Sequence, residues 1–285
     1  MSNTTLASEH PVSGPWSLAT SRAFWEGFAP SALAASDSGE ELRTVFVCDS
    51  DWRRVEAVVR QSGSVARIEV TGDGDLDAAT AQVLRFLSLD VDARGWPEVG
   101  RRDPVIADAQ RRLPGFRPCG FHSPYEAAVW AVLSQRLPMS RAAATRASII
   151  ERHGERGALP SPAVLRGLAL DLPGRKEEYL HAVADAALEG RLDGASLRGL
   201  PAEEALAQVR AITGLGPFGA ELVVIRGAGT VDVLPRHEKR LEAEIGALYG
   251  SERDPDAISE VWRPFRTWAA VHLRALGGHR SARRA

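Results

Sequence analysis

The sequence predicts an α+β N-terminal domain followed by an all-α domain. Three observations support this division. The chain has 285 residues, enough for two ordinary domains. Alternating β-branched residues, typical of strands, occur only in the first hundred or so positions, and from about Asp103 onward helix signals follow one another. We therefore place the α+β domain at residues 16–112 and the helical domain at 113–285, and we predict that the small, polar residues 1–15 are disordered.

Two strands and two helices are predicted in the first domain. RTVFVC at residues 43–48 and ARIEVTG at 66–72 alternate in the manner of half-buried strands. Between them, DWRRVEAVVRQSG at 51–63 reads as a helix that Gly63 closes, and residues 78–89 have apolar side chains at helical spacing. We expect an α+β unit that ends at the turn LDVDARGWP.

The helical domain has a strong start signal at Ser123. Serine can cap a helix, Pro124 suits the first helical position and Glu126 completes a capping box. That helix is predicted to run to about Leu137. The later helices are predicted from Pro138 to near Gly154, from Lys176 to about Gly190, from Pro201, after Gly216-Pro217, after Pro235, and over 257–276.

Composition is that of a globular protein, with 44% hydrophobic and 25% charged residues. No apolar run approaches the roughly 20 residues of a membrane-spanning helix. The N-terminus lacks the basic and apolar regions of a signal peptide, which favours a cytoplasmic location and no membrane partner. Cys48 and Cys119 are too far apart in sequence for a CxxC metal site, and two cysteines cannot bind a four-cysteine iron–sulfur cluster.

The net charge of −2 gives no global signal for nucleic acid, but the positive charge is distributed unevenly. The last 25 residues contain six arginines and no acid, which would suit phosphate contacts or simply a solvated tail. A second basic group lies at Arg236, Lys239 and Arg240. Lysine is scarce, because Lys176 and Lys239 are the only two in the chain.

A glycine turn, Gly214-Leu215-Gly216-Pro217, joins two predicted helices. Glycine permits positive φ and leaves no side chain in the way of an approaching group. The free N–H groups at the start of the next helix can bind an anion, and on DNA that anion is a phosphate. A Gly-x-Gly-Pro turn by itself is also a common tight connection, so the motif alone leaves both interpretations open.

The surrounding residues resemble the helix-hairpin-helix DNA glycosylase superfamily, most closely its AlkA-type 3-methyladenine glycosylases. The family hairpin reads like LPGIGPWTA, and this chain has ITGLGPFGA. SPYEAAVWAVLSQRLPMSRAAATR is similar to the family's first long helix and its DNA-facing turn, and LPGRKEEYLHAVADAALEGRLD to its RKAEYL segment. VLRFLSLDVDARGWP and DPVIADAQRRLPGFRP match the end of the family's N-terminal domain, so the resemblance covers roughly residues 16–276.

The resemblance implies an enzyme of base excision repair that flips a damaged base out of double-stranded DNA and hydrolyses its N-glycosidic bond. It implies a monomer, no cofactor and no metal. The helical domain at 113–285 would be the helix-hairpin-helix glycosylase domain. The phosphate-binding positions would be Gly214, Leu215, Gly216 and Gly219. Arg136 would lie where the family inserts a residue into the gap left by the flipped base, where its guanidinium could stack on the orphaned partner base; an ordinary surface arginine is the alternative.

The family's catalytic aspartate falls on Glu238 when the chains are aligned on Asp232, Leu234-Pro235 and Leu241. The extra methylene shifts the carboxylate by about 1.5 Å, and a misplacement of about 1 Å can already cost ~10²-fold in rate. The alignment nevertheless makes Glu238 the predicted catalytic carboxylate. Two alternatives stay open: a helix N-terminal glutamate that only complements the helix dipole, and Asp232 as a substitute. His237 replaces the preceding acid of the family.

Phe218 stands where bifunctional members of the family carry a Schiff-base lysine, so the resemblance implies a glycosylase without lyase activity. Lys239 as a covalent nucleophile is the weak alternative. The predicted base pocket has Phe218, Leu222 and Arg274 at positions that match aromatic residues of the family, and Trp130 is a further candidate unless it belongs to the core. Only Phe218 retains a ring, and Arg274 would repel a cationic base. These departures keep a second hypothesis open, a catalytically impaired lesion-binding protein of the same fold.

Overall fold

The computed structural model describes residues 4–27 and 41–282. Its strands are β1 Thr4–Pro11, β2 Glu41–Val47, β3 Arg54–Ser62 and β4 Val65–Gly72. They form one antiparallel sheet in the order β1-β4-β3-β2. Within the described residues, all four strands thus lie before residue 73, and the elements that follow are helices. The sequence predicts the same order, with strand signals first and helix signals after them.

Strand β1 corrects the prediction that residues 1–15 are disordered. Thr4–Pro11 pairs along its whole length with β4, with Leu6 opposite Val70 and Ser8 opposite Ile68. Beyond the strand, the backbone N–H of Val12 donates to Ser64 O at 2.8 Å. The segment is polar because it forms the edge of the sheet and none of its residues is fully buried. Only residues 1–3 of that prediction lie outside the described residues.

Strand β3 corrects the helix predicted at 51–63. Val55, Ala57 and Val59 alternate at a spacing of two, and all three side chains are buried on one face of the sheet. This strand period was present in VEAVV, but the flanking arginines and glutamine made the segment resemble a helix. Gly63 has φ +59° and lies in a two-residue turn, because Ser62 pairs with Val65. Gly63 therefore closes a hairpin between β3 and β4, not a helix.

The helices account for most of the remaining chain. In order they are α1 Leu18–Glu26, α2 Leu76–Phe86, α3 Trp96–Arg102, α4 Pro104–Arg112, α5 Pro124–Ser134, α6 Met139–His153, α7 Pro162–Leu165, α8 Lys176–Leu188, α9 Gly194–Gly199, α10 Ala202–Arg210, α11 Pro217–Glu221, α12 Lys239–Tyr249, α13 Pro255–Glu260 and α14 Arg266–Ala282. A π-helical stretch, Leu222–Gly227, continues α11 directly. Across residues 4–27 and 41–282, no helix combines the length and the apolar character that crossing a bilayer requires.

Helix α5 forms the centre of the helical part. Its predicted cap is confirmed, because Ser123 Oγ accepts the backbone N–H of Glu126 at 3.2 Å. The Glu126 carboxylate contacts the ring of His122 at 3.2 Å and Arg146 at 3.6 Å, so it joins a buried polar cluster rather than a simple capping box. All residues from Pro124 to Leu133 are buried, which explains why the helix is apolar on every side. The neighbouring helices therefore surround α5.

Arg117 connects the sheet to the helices. Its side chain is fully buried, and its guanidinium donates to the carbonyl oxygens of Pro15 (3.0 Å), Ser88 (2.7 Å), Val91 (3.0 Å) and Ser13 (2.5 Å). Burial lowers the pKa of Arg117 to about 10, so it stays protonated at neutral pH. The arginine thus satisfies carbonyl groups of the segment after β1 and of the turn after α2 at once.

Arg117→Met is expected to lower the free energy of unfolding by about 3 kcal/mol or more, because methionine fills the space but leaves several buried carbonyls without a donor. Urea denaturation followed by circular dichroism measures the change. The matched control is Arg111→Met on α4, where the side chain is exposed and pairs with Asp108. We expect the control to change stability by no more than about 0.5 kcal/mol. Equal losses in the two variants would contradict the proposed connection.

Candidate active site

The turn between α10 and α11 depends on Gly214. This residue has φ +92°, and a Cβ atom there would lie 2.4 Å from Cγ of Tyr179. Both the backbone conformation and the packing against α8 therefore require glycine. Gly214 is fixed by the fold itself, whatever the outer face of the turn binds.

Gly216 is under a different constraint. Its φ of −86° and ψ of −175° are accessible to any residue, and no heavy atom lies within 4 Å of the position of a Cβ. The residue is exposed, and it precedes Pro217 at the start of α11. The first N–H groups of a helix have no partner inside the helix. The absence of a side chain at Gly216 thus leaves those groups accessible to an anion from outside.

The other two predicted phosphate-binding positions lie deeper. The side chain of Leu215 is buried, and its backbone N–H donates to Ile212 O at 3.0 Å, so Leu215 holds the hairpin together from inside. Gly219 is buried, and a Cβ there would be in ordinary contact with Leu215 and Ala131. The exposed part of the turn is therefore formed by Gly216 and the start of α11.

The end of α5 is fixed beside this turn. Nε2 of Gln135 donates to Gly214 O at 2.7 Å. The buried ammonium group of Lys176 donates to the carbonyl oxygens of Val132 at 3.1 Å and Gln135 at 2.9 Å, and also to Leu133 O. Burial lowers the pKa of Lys176. Lys176 thus caps the C-terminus of α5, a role that the sequence did not indicate.

Arg136 follows at once in this fixed turn. Its φ is +54°, a left-handed conformation that residues with a side chain adopt only sparingly, and its side chain is exposed. The structure therefore brings Arg136 next to the hairpin, since Gln135 contacts Gly214 directly. The exposed side chain of Arg136 is thus compatible with its predicted role beside the hairpin.

Glu221 ties the hairpin helix to the loop that carries Glu238. Its carboxylate is buried and accepts three hydrogen bonds, from the backbone N–H of Arg236 (3.0 Å), the backbone N–H of His237 (2.9 Å) and Nδ1 of the His237 ring (2.7 Å). Short bonds of this kind to a carboxylate are strong. Sequence reasoning missed Glu221, because nothing in its local pattern shows a partner 15 residues away.

Glu238 is the N-terminal cap residue of α12. Its backbone carbonyl accepts the N–H groups of Leu241 at 2.9 Å and Glu242 at 3.1 Å. Its side chain points elsewhere and accepts a hydrogen bond from Nε of Arg274 on α14. The carboxylate is about one third exposed. Glu238 therefore combines a fixed backbone with a carboxylate that solvent reaches and that one arginine holds.

Asp232 has a separate set of partners. Its carboxylate accepts from Nη1 of Arg263 at 2.9 Å and from Nε of Arg266 at 2.9 Å, and also from the backbone N–H of Arg266 at 3.1 Å. These contacts join the loop after the π-helical stretch to the start of α14. The arrangement favours a structural role for Asp232 over the substitute catalytic role that the sequence left open.

The four predicted pocket residues differ in their surroundings. Trp130 is buried within α5 among apolar side chains, so the structure favours its alternative role in the core. Phe218 has a ring that is 45% exposed at the start of α11, and Leu222 is half-buried one turn later. Arg274 contacts Glu238 directly. Of the four, the structure thus brings Arg274 to the carboxylate, and it leaves the side chains of Phe218 and Leu222 at least partly accessible.

A second arginine, Arg226, lies close to this pair at the end of the π-helical stretch. Its Nη2 donates to Cys119 O at 2.6 Å, and its guanidinium lies 5.6 Å from the centre of the Phe24 ring. Burial lowers the pKa of Arg226, while the nearby charge of Glu238 raises it and that of Arg274 lowers it. The carboxylate is therefore in contact with the guanidinium of Arg274 and is also influenced by the charge of Arg226, an arrangement that the sequence did not reveal.

Known proteins resemble this chain in both sequence and fold. No family model matches it. A probable bifunctional transcriptional activator/DNA repair enzyme AlkA of Mycobacterium tuberculosis is 31% identical over 218 residues, which is 70% of this chain and 42% of that protein. A DNA-3-methyladenine glycosylase of Bacillus subtilis is 25% identical over 201 residues, which is 64% of this chain and 66% of that protein. The chain thus spans about two fifths of the length of the first relative and about two thirds of the second.

Solved structures share the fold over 65% to 93% of the chain. A 3-methyladenine DNA-glycosylase from Archaeoglobus fulgidus superposes with a TM-score of 0.73 at 20% identity, over 93% of this chain and 96% of that one. A DNA-3-methyladenine glycosidase from Bacillus halodurans gives a TM-score of 0.55 at 23% identity, over 65% and 89%. In sequence the chain is therefore similar to proteins named AlkA and DNA-3-methyladenine glycosylase, and it shares its fold with solved 3-methyladenine DNA glycosylases.

Proposed function

We propose that the protein is a monofunctional DNA glycosylase of base excision repair that removes alkylated or otherwise damaged bases from double-stranded DNA. One observation carries the proposal: the buried carboxylate of Glu221, on the helix that follows the glycine hairpin, holds the loop that presents Glu238. A group that binds phosphate and a group that acts on the sugar would then form one rigid unit. The names of the relatives support the same activity.

The hairpin would hold the DNA through its backbone. A phosphate would approach the N–H groups at the start of α11 past Gly216, where no side chain intervenes. Contacts of this kind position the duplex without reading its sequence. Arg136, exposed beside the hairpin, would enter the gap left by the flipped base, since a guanidinium plane can stack on the orphaned partner.

Glu238 would stabilise the sugar as the glycosidic bond breaks. The base must first leave the stack, because its reacting bond is otherwise shielded. Positive charge then develops at C1′. A carboxylate at about 4 Å, with an effective dielectric constant of about 20, contributes roughly 4 kcal/mol, or about a thousandfold in rate. A water molecule that attacks C1′ would complete the hydrolysis, with Glu238 accepting one of its protons.

The two lysines support a mechanism without a covalent imine. Lys176 is buried and occupied as the cap of α5, and Phe218 stands where a Schiff-base lysine would be expected. Lys239 is exposed next to Glu238, and we assign it to solvent or to a phosphate. We also propose, as the sequence predicts, that the two domains divide near residue 112. The protein would be a cytoplasmic monomer that uses no cofactor.

A second candidate function is a lesion-binding protein without turnover. The observation that favours it is the ion pair between Glu238 and Arg274, because a carboxylate engaged by a guanidinium offers less negative charge to the sugar. The longer glutamate side chain adds to this case. An assay that separates binding from cleavage distinguishes the two functions.

Gly216→Asp is expected to weaken binding to damaged and undamaged duplex alike, by about tenfold or more, because a carboxylate would then lie where a phosphate should approach. Fluorescence anisotropy at fixed salt measures the affinity. Gly199→Asp is the matched control, since Gly199 is also exposed with nothing within 4 Å of a Cβ but lies at the end of α9. If Gly216→Asp binds as the parent does while remaining folded, the hairpin is only a connector.

Glu238→Gln is expected to lower turnover by ~10²-fold or more, because it keeps the size of the side chain but removes the anion. Glu238→Asp should also be slower, since the shorter side chain withdraws from Arg274 and from the site. The assay incubates duplexes bearing several defined lesions and then uses alkali to reveal abasic sites. Glu242→Gln, exposed in the first turn of the same helix, is the control. Full activity of Glu238→Gln on a lesion that the parent removes would refute the assignment, and a parent inactive on every lesion would favour the lesion-binding function.

The product is expected to be an intact strand with an abasic site, because Phe218 cannot form an imine with the sugar. Gel electrophoresis without alkali should therefore show no cleavage, and sodium borohydride should trap no covalent complex between protein and DNA. A nicked strand or a trapped complex that disappears in Lys239→Ala would show instead that Lys239 acts as a nucleophile.

A further inference from the structure

Arg274 places a guanidinium group beside the carboxylate of Glu238. The side chain lies on α14, is about one quarter exposed, and donates through Nε to Oε1 of Glu238. This is the only hydrogen bond of Arg274 within the described part of the chain. Because a guanidinium carries five N–H donors in one plane, the Nη groups retain donors for a ligand that enters next to Glu238.

The charge around Glu238 is positive on balance. Arg226 lies close enough for its pKa to respond to the charges of both Glu238 and Arg274, and its side chain is partly buried. The charged groups of the preceding loop pair with neighbouring helices, since Glu221 on α11 binds His237 and Asp256 on α13 binds Arg236 at 2.8 Å. Lys239 and Arg240, which follow Glu238, are exposed and add positive charge. The carboxylate is therefore paired with the guanidinium of Arg274 and lies within the influence of a second positive charge, which is an unfavourable setting for a base that is itself a cation.

We infer, on the basis of the proposed function, that the Glu238–Arg274 pair selects uncharged damaged bases bearing a carbonyl oxygen over cationic N-alkylated purines. The two classes differ in where charge develops. When an uncharged base leaves, the sugar becomes positive and the base negative, so the carboxylate and the guanidinium match the two charges. When a cationic purine leaves, the base becomes neutral and Arg274 has no developing charge to stabilise. Arg274 is then a specificity-determining residue.

For an uncharged base such as hypoxanthine, the hydrolysis conserves atoms, electrons and protons. The bond between C1′ and N9 breaks, and its electron pair passes to the base, where it is shared with the carbonyl oxygen that the guanidinium binds. Water forms the new bond to C1′ and loses one proton to the Glu238 carboxylate. That proton is then returned through solvent to the base anion, so the products are a neutral base and an abasic deoxyribose with a hydroxyl group.

Binding to uncleavable duplexes tests the inference independently of turnover. A 2′-fluoroarabino nucleotide resists hydrolysis because the fluorine destabilises the positive sugar. We would compare a duplex with 2′-fluoroarabino-hypoxanthine and one with 2′-fluoroarabino-7-methylguanine, each against the undamaged duplex, by fluorescence anisotropy. The variants are Arg274→Gln, which removes the charge, and Arg274→Lys, which retains it. Arg111→Gln, an exposed arginine on α4, is the control, and thermal unfolding confirms that each variant folds.

The parent is expected to prefer the hypoxanthine duplex, and Arg274→Gln should reduce that preference by about tenfold, whereas Arg274→Lys and Arg111→Gln should keep most of it. An equal preference in the parent and in Arg274→Gln would overturn the inference and leave the proposed function intact. So would a parent that prefers the cationic base. A parent that binds neither damaged duplex better than the undamaged one would overturn the inference and the proposed function together.

Discussion

The buried carboxylate of Glu221 is the interaction on which the site depends. It fixes two consecutive backbone N–H groups and one imidazole ring on the loop before α12, and it does so from the helix that the glycine turn begins. The Glu221 side chain is only 8% exposed, and a carboxylate is costly to bury without hydrogen-bond donors. The three donors are therefore needed to keep it buried. The position of Glu238 relative to the hairpin is therefore set by a contact within the protein itself.

A similar arrangement holds the opposite side of the hairpin. Lys176 neutralises the carbonyl end of α5, and Gln135 then joins that end to Gly214. Positive charge at a helix C-terminus is favourable because the helix dipole is negative there. One of the two lysines in the chain is thus used to build the surface from which Arg136 extends, and arginine supplies nearly all the remaining positive charge. Under the proposed function, arginine would also suit this surface because its planar donors match phosphate groups.

The sequence predicted those parts of the fold that local chemistry determines. Ser123 capped its helix as expected, and the glycine hairpin was recognisable from a few residues. The errors have a common physical origin. Strand β1 has no apolar face of its own because it lies at the edge of the sheet, and β3 carries its strand period in only five residues between charged ones. Glu221, Lys176 and the Arg226–Glu238–Arg274 group could not be predicted, since each depends on partners that are distant in sequence.

The π-helical stretch that continues α11 has a geometric consequence for everything after it. Its wider turn is marked by the bond from Ala228 N–H to Val223 O at 2.8 Å, five residues back instead of four. Such a stretch holds one residue more than the α-helix it interrupts, and one residue corresponds to about 100° of rotation about the helix axis. With the helix rotated in this way, the Arg226 carbonyl accepts the backbone N–H of Phe121 at 2.9 Å. The phase of one helical turn thus sets the direction in which the chain leaves toward Glu238, so an insertion or deletion of a single residue here would redirect the loop even if every side chain were retained.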